Sequence, residues 1–215
     1  MKSISIIVLF SIVFSIEKQA DIGFLYGVLS RLNSNTEPHV LEDSAIINTG
    51  DEIIINAGYK KETHFYVIFK DSKGEFTLFY PVNDQNNEDL SAQPDTIYTP
   101  VLPWSQFSDP PGDETFFLIN STLALNNLEN LFKRYNRVKE KGRKKLAKQI
   151  QNEIDSLDPE KKQDLASISS RLDKPVVGGV TFRGEDEDNL TDISLTNSCT
   201  GISGLAFKKI LLNHK

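Results

Sequence analysis

The chain has 215 residues, of which 39% are hydrophobic and 25% are charged, and its formal net charge is −6. This balance is ordinary for a globular protein, and the length allows one domain with a sizeable core. The acidic charge argues against a nucleic-acid-binding protein, because such proteins usually carry a basic patch. The single cysteine, Cys199, excludes an internal disulfide and is expected to be a buried apolar side chain rather than a reactive thiol.

The N-terminal segment differs in kind from the rest of the chain. Lys2 is followed by an apolar run, Ile4 to Phe14, that only serines interrupt. This run is shorter than the ~20 apolar residues that a membrane-spanning helix needs. The pattern predicts a secretory signal peptide over residues 1–20, cleaved near 15–20. The mature protein is therefore expected to be exported, to the periplasm or outside the cell, without a membrane span.

The next segment is rich in predicted strands. Residues 21–31 and 52–57 have strand composition, and a turn at Thr49 to Asp51 separates them. Runs 63–70 and 76–80 flank Asp71 to Gly74, which predicts a hairpin in which Gly74 has a positive φ.

Both faces of this hairpin are apolar. Phe65 and Val67 alternate with Tyr66 and Ile68 in the first run. In the second run, Phe76, Leu78 and Tyr80 are expected to face away from Thr77 and Phe79. We therefore expect the hairpin to be covered by a second sheet on one side and by a helix on the other.

Prolines punctuate the segment after the hairpin. Pro81 ends the second run, residues 82–95 form a polar loop, and a short strand near 96–98 is expected to end at Pro100. Pro111 and Gly112 suit the two central positions of a type II turn. This turn would lead into a buried strand at 114–120.

The periodicity then changes to that of a helix. Apolar residues recur every three or four positions from Leu128 to Leu157, which predicts one amphipathic helix over 126–157 with a capping box formed by Asn126 and Glu129. Nine cations and one anion lie between residues 133 and 148, which gives this stretch a charge of +8 and leaves −14 for the rest of the chain. Asp158 and the proline after it predict a second helix that runs to about residue 172.

The last third of the chain returns to strand composition. Residues 175–184, the run ISLTNS and residues 204–215 predict closing strands, with an acidic loop at 184–189. The order predicts an α+β fold: a mainly antiparallel, sandwich-like β core with two helices, one of them long, basic and amphipathic, inserted between early and late strands. We assign 21–132 to a β-rich region and 133–215 to a helical segment and closing strands of the same domain. A separate helical appendage is the alternative.

An ordered series of motifs resembles the bacterial domain-of-unknown-function family 4384 over residues 45 to 132. The series comprises Gly50 and Asp51, the aromatic strand 65–69, the turn at Gly74, Pro81 with Asn83, Leu102 to Trp104, and Pro111 and Gly112 followed by Glu114. The chain departs from the family pattern at Tyr80, Val82 and Asp113. Domains of this family often follow kinase-like or caspase-like modules, and the sequence contains neither, so the domain is expected to act alone after export. The resemblance implies no activity, because the family has none established.

No catalytic motif is present. The sequence contains no G-x-S-x-G, no P-loop and no dinucleotide fingerprint, and its three histidines, His39, His64 and His214, lack metal spacing. We therefore predict no catalytic residue, no metal and no cofactor. Asp51 and Glu114 either lie in a ligand groove or cap turns by accepting backbone N–H groups, and the second role is the expectation.

The basic helix and the loops indicate a docking role. Candidate partner-binding residues are Lys139, Lys141, Arg143, Lys144, Lys145, Lys148 and Trp104. We predict an exported, non-enzymatic binding or assembly module of the cell envelope, which docks a protein or an anionic envelope component through loops 82–95 and 101–113 or through the helix. The alternative is an envelope enzyme or a calcium-dependent factor, with the acidic loops as calcium ligands.

Overall fold

The computed structural model describes residues 22–81, 95–161, 168–178 and 193–215. The predicted signal peptide, the polar loop from 82 to 94 with Asn83, and the acidic loop at 184–189 lie outside these residues. The elements in chain order are β1 (Ile22–Arg31), β2 (His39–Val40), β3 (Ala45–Ile47), β4 (Glu52–Lys60), β5 (His64–Lys70), β6 (Phe76–Tyr80), β7 (Thr96–Gln106), β8 (Gly112–Ser121), α1 (Asn126–Tyr135), α2 (Glu140–Leu157), β9 (Ile168–Gly178), β10 (Ile193–Gly201) and β11 (Leu205–His214).

The strands form two sheets. The first has the order β7-β4-β1-β10-β9, with β2 paired to β1, and the second has the order β3-β11-β8-β5-β6. The β3–β11 pair is parallel and the other pairs are antiparallel. The predicted α+β fold, with a sandwich-like core and two helices between early and late strands, is confirmed. The late strands complete both sheets, because β10 pairs with β1 and β11 pairs with β8.

The second sheet is buried on both faces. Phe65, Val67, Phe116 and Leu118 point into the core between the sheets. Their neighbours point to the opposite face, where they pack against α1 and α2 in a second cluster. The members of that cluster from the sheet are Tyr66, Ile68, Phe76, Phe117, Ile119 and Phe207. The prediction that the hairpin is covered on both sides is therefore correct.

A β-bulge in β6 changes one prediction about the hairpin. Val67 pairs with Tyr80 while the adjacent Ile68 pairs with Leu78, so Phe79 is the extra residue. Tyr80 consequently packs against the core between the sheets, together with Phe79, and does not share a face with Phe76 and Leu78. The alternation of side chains fails here because a bulge shifts the period by one residue.

The predicted single helix over 126–157 is two helices, with a break at residues 136–139. A straight helix of this length would be about 48 Å long, whereas the longest strands of the second sheet span about 34 Å. The break allows both apolar stripes to stay on the sheet. Leu128, Phe132 and Tyr135 of α1 are buried there, as are Leu146, Ile150 and Ile154 of α2.

The start of α1 is held differently from the predicted capping box. The N-cap residue is Leu125, and no side chain caps it. The Tyr66 hydroxyl instead donates a hydrogen bond to Oε1 of Glu129 at 2.8 Å and accepts one from the Leu125 N–H at 3.0 Å. Burial, followed by the bond to Glu129, raises the pKa of Tyr66 to about 12, although the Leu125 bond opposes this shift.

Two further predictions about element bounds are wrong. The strand β7 continues through Pro100 to Gln106, because β7 is an edge strand and proline removes no ladder bond on its open side. The predicted helix over 158–172 is absent from its described residues. Asp158 caps a turn by accepting the Glu160 N–H at 2.9 Å, and residues 168–172 belong to β9.

The packing of α2 on the second sheet is tested by the substitution Ile150→Ala. Ile150 is 0% exposed, so we expect a loss of about 2–5 kcal/mol in the free energy of unfolding. The same substitution at Ile46, which is 57% exposed, is expected to change it by less than about 0.5 kcal/mol. Urea denaturation measures both values, and equal losses would contradict the packing of α2.

Candidate functional site

A cleft of about 190 Å³ opens between the two sheets at one end of the sandwich. Its floor and walls are apolar and its rim is polar. The apolar residues are Ile53, Phe69, Phe79, Leu102, Phe107 and Phe116, and the polar ones are Asp71, Ser72, Lys73, Ser105, Gln106, Ser108, Asp109 and Glu114. We refer to this set, which also includes Pro110, as the cleft. Its volume is below the ~300–1,000 Å³ of drug-sized sites, so it suits one side chain or one small head group.

The turns that the sequence analysis singled out build the rim of the cleft. The β5–β6 turn contains Gly74 with a φ of 78°, as predicted. Oδ1 of Asp71 accepts the N–H groups of Lys73 and Glu75 at 2.9 and 2.7 Å, which fixes this turn. The Ser72 hydroxyl donates to the Pro110 carbonyl at 3.0 Å and so ties the turn to the β7–β8 connection.

Gly112 allows the β5–β6 turn to approach the start of β8. A Cβ atom at this position would lie 2.6 Å from Cβ of Ser72, and the φ of Gly112 is 148°. This angle lies far from the φ near +80° of a type II turn, so the predicted turn type at Pro111 and Gly112 is wrong. The glycine is nevertheless required, because a side chain would push the two halves of the rim apart.

Gly50 and Asp51 form backbone hydrogen bonds with the cleft residue Phe107 on the other side of the cleft. The Gly50 N–H donates to the Phe107 carbonyl, and the Phe107 N–H donates to the Asp51 carbonyl, both at 2.9 Å. The Asp51 carboxylate accepts the Asn48 N–H at 2.8 Å. The expectation that Asp51 caps a turn is therefore correct.

Glu114 has a different role from the turn cap that was expected. It begins the buried part of β8, is 4% exposed, and its Oε1 lies 3.1 Å from Nδ1 of His214. Nε2 of His214 lies 2.9 Å from the Thr49 hydroxyl, which in turn donates to Oδ1 of Asp109 at 3.1 Å. These four side chains form one hydrogen-bonded chain from the core to the rim.

The donor and acceptor of each hydrogen bond in this series can be assigned by starting from Asp109, its outermost member. An ionised aspartate only accepts hydrogen bonds, so the single hydroxyl hydrogen of Thr49 is used by Asp109. His214 must then donate from Nε2 to Thr49. One proton remains for the contact between His214 and Glu114, either on the carboxyl group or on Nδ1, and the pair is neutral overall in both arrangements.

Oε2 of Glu114 is buried and has no hydrogen-bond partner. In both proton arrangements this oxygen is an acceptor, because the shared proton lies on the Oε1 side. Burial raises the pKa of Glu114, the bond and charge of His214 oppose this shift, and the charge of Asp71 adds to it. A buried acceptor without a donor costs about 1–3 kcal/mol, which a ligand that supplies a donor would recover.

The aromatic side chains of the cleft form a connected group around Phe69. The ring centroids of Phe116, Phe79 and Phe107 lie 4.7, 5.9 and 6.4 Å from that of Phe69. Phe107 meets the His214 ring edge-on at 5.4 Å. Phe69 and Phe79 are half-buried, so their rings are accessible from the cleft.

A second cavity, of about 240 Å³, lies between β1, β10 and β11. Its lysine, Lys208, bonds to Asp43 at 3.1 Å, and the other oxygen of Asp43 accepts the Leu211 N–H at 2.8 Å. These charged groups satisfy one another, which makes this cavity a weaker candidate than the cleft.

The predicted basic residues lie away from the cleft. Lys139, Lys141, Lys144, Lys145 and Lys148 are exposed at the start and in the first half of α2, in the helical layer outside the second sheet. In the described ranges they form no ion pair. Arg143 is half-buried and its guanidinium lies 5.6 Å from the Tyr135 ring.

Trp104 is separated from these basic residues by the sandwich. It lies on β7 in the first sheet, one residue from the cleft residue Ser105, and the Arg31 guanidinium stacks on its ring at 3.8 Å. Arg31 also pairs with Glu52 at 2.6 Å. The predicted partner residues therefore form two separate surfaces.

Pro81, which was predicted to end the second strand of the hairpin, directly follows β6 at the end opposite the Gly74 turn.

His214 is the site residue that sequence reasoning missed. It lies beside the C-terminus and belongs to no catalytic or metal-binding motif. The other two histidines, His39 and His64, are exposed. A signal was present: Ile210, Leu212 and His214 alternate on the core-facing side of β11, as Glu114, Phe116 and Leu118 do on β8. Polar residues in register with a core face indicate a buried polar pair.

The described part of the chain contains no group of three or more histidine, cysteine, aspartate or glutamate side chains that could hold a metal ion. In the same residues, neither helix has the length and apolar character needed to cross a membrane.

Comparison with protein-family models, with curated proteins and with solved structures gives no match. The resemblance to family 4384 therefore stays a prediction.

The buried carboxyl group makes stability depend on pH. The pKa of Glu114 is raised in the fold, so its contribution is complete below the ordinary glutamate pKa of about 4.3 and is lost as the pH rises through the raised value. We expect Glu114→Gln to remove this decline in the free energy of unfolding above about pH 4.3. The exposed control Glu140→Gln is expected to keep it, and parallel pH profiles for both variants would contradict the assignment.

The thiol of Cys199 is expected to be unreactive in the folded protein. The side chain is 0% exposed, and burial raises its pKa to about 11. A disulfide reagent at mildly alkaline pH should modify it only after unfolding. A Cys199→Ser, Thr200→Cys variant places the thiol at an exposed neighbouring position and should react at once. Rapid reaction of the native wild-type protein would contradict the burial of this side chain.

Proposed function

We propose that the protein is an exported, non-enzymatic binding module of the bacterial cell envelope that receives part of a partner in the cleft. The observation that carries this proposal is the buried Oε2 of Glu114, which has no hydrogen-bond partner and belongs to a residue that lines an aromatic cavity. A ligand with a donor at the end of an apolar stem would complete both the hydrogen bonding and the packing. Export rests on the signal-peptide pattern of residues 1–20.

The hydrogen-bond pattern favours binding over hydrolysis. Glu114, His214 and Thr49 follow one another as acid, imidazole and hydroxyl, which is the order of a nucleophilic triad. In such a triad the imidazole accepts the hydroxyl proton. Here that proton is directed to Asp109, and His214 donates to the hydroxyl. The imidazole therefore donates a hydrogen bond to Thr49 and does not act as the base that would activate this hydroxyl.

The basic face of α2 is a second docking surface in this proposal. It comprises the exposed residues Lys139, Lys141, Lys144, Lys145 and Lys148. Its positive charge contrasts with the acidic remainder of the chain and suits an anionic envelope component. Attraction of this kind weakens as salt is added, because exposed charges are screened over about 10 Å at 0.1 M. The salt dependence therefore separates this surface from the cleft.

Site-specific photo-crosslinking in bacterial envelopes tests where the partner docks. A photoreactive phenylalanine analogue is placed at Ser108 on the rim of the cleft, at Lys144 on the basic face, or at the exposed residue Leu123 as a control. We expect one discrete adduct at Ser108 that persists in moderate salt, and none at Leu123. An adduct at Lys144 alone, lost in salt, would move the docking site to α2.

The enzymatic alternative has its own test. Purified mature protein is assayed with generic ester and peptide substrates, alongside the variants Thr49→Val and His214→Gln. Turnover that both variants abolish, together with no adduct at Ser108, would overturn the binding proposal. We expect no turnover above that of the Thr49→Val variant.

A further inference from the structure

We propose that the cleft takes a lysine or arginine side chain of a partner protein, with its cationic head group on Glu114 and its stem among the phenylalanine rings. This inference rests on the proposed binding function of the cleft. It adds the chemical class of the group that is bound.

The acceptor oxygen Oε2 of Glu114 determines which head group of a ligand can bind. Oε1 is occupied by His214, so Oε2 remains for the ligand, and it accepts in either proton arrangement of the pair. A ligand that bonds to Oε2 must therefore present an N–H or O–H donor to Glu114. An anionic head group is excluded, because it would place two acceptors against each other in a buried site.

The charge of the rim selects a cation among these donors. The charged residues that line the cleft are Asp71, Asp109, Glu114 and Lys73. The Glu114–His214 pair is neutral overall, so the two aspartates outweigh the single lysine and leave one net negative charge. A positively charged group is attracted by this rim, and a neutral donor gains nothing from it.

The aromatic walls favour the same group. Phe69, Phe79 and Phe116 have ring centroids 4.7 to 6.4 Å apart, so they form one continuous aromatic surface against which a side chain that reaches Glu114 would lie. Cations are attracted to the face of an aromatic ring within about 6 Å of its centroid. The methylene stem of lysine or arginine packs on such rings while its charged end reaches a carboxyl group. The volume of about 190 Å³ limits the guest to one such side chain.

Blocked amino acids provide probes that separate charge, donor and stem. The probes are the acetyl-amides of lysine, arginine, citrulline and norleucine, added to labelled mature protein while backbone amide chemical shifts are followed. Citrulline keeps the shape of arginine and some of its N–H donors without the charge, with a carbonyl oxygen in place of one NH2 group, and norleucine keeps the apolar stem of lysine alone. We expect saturable shifts at 105–109 with the lysine or the arginine probe, and at least about tenfold weaker binding of the two neutral probes. Equal binding of norleucine would overturn the proposal.

Two variants locate the interaction. Glu114→Leu, which removes the acceptor oxygen, should weaken binding of the cationic probes at least about tenfold, and Phe79→Leu, which keeps an apolar side chain but removes a ring, about two- to fivefold. The matched control Glu140→Leu should leave binding unchanged. Unchanged affinity in both Glu114→Leu and Phe79→Leu would place the cation elsewhere and overturn the proposal.

The role of the cleft as a docking site and the identity of its guest as a basic side chain would be refuted by different results. A partner that crosslinks at Ser108 while no cationic probe binds would leave the cleft as a docking site and refute the basic side chain as its guest. Loss of both the adduct and probe binding would refute the cleft itself. A free diamine that binds more tightly than the lysine probe would assign the cleft to a small soluble amine and refute a partner protein as the source.

Discussion

The burial of the second sheet on both faces is the constraint on which the rest of the structure depends. In β5 and β8 every side chain from Phe65 to Ile68 and from Phe116 to Ile119 is enclosed, alternately by the first sheet and by the helices. Two apolar faces require two covering layers, because an exposed row of such residues would remain in water at a cost of about 1.5–3 kcal/mol per large side chain. This requirement explains why two helices are inserted in the middle of a β protein and why their path turns back at residues 136–139 to stay on the sheet.

The cleft forms where this apolar pattern is interrupted. Glu114 of β8 and His214 of β11 occupy core-facing positions at the end of the second sheet, in line with Phe116 and Leu212. Both are buried, and they are compatible with the core because they bond to each other. The aromatic rings beside them remain partly accessible, and the turns at 49–51, 71–74 and 109–112 are joined by hydrogen bonds around the opening. An end of the sandwich that apolar side chains could have sealed instead holds a preformed opening.

The two candidate surfaces have opposite charge and lie in different layers of the molecule. The basic face of α2 lies outside the second sheet, whereas the acidic cleft opens between the sheets. In the function we propose, an anionic component would meet the helix and a cationic side chain would meet the cleft. Charge attraction over a longer range would act at the exposed helix, and hydrogen bonds and ring contacts would act in the cleft, because desolvated groups interact more strongly than hydrated ones.

The sequence by itself determined the alternation of side chains from Phe65 to Ile68, the positive φ of Gly74, the late strands and the two-sided burial, because these follow from local periodicity and turn chemistry. It did not determine the bulge at Phe79, the extension of β7 through Pro100, or the strand from Ile168 where a helix was predicted, since each depends on which strand or sheet lies alongside. Only the tertiary structure brought His214 to Glu114 and to Thr49, from which it is separated by 100 and 165 residues along the chain. The pairing of β8 with β11 places Glu114 and His214 together. The alternation along each strand indicates a buried polar residue, but it does not identify the partner of that residue.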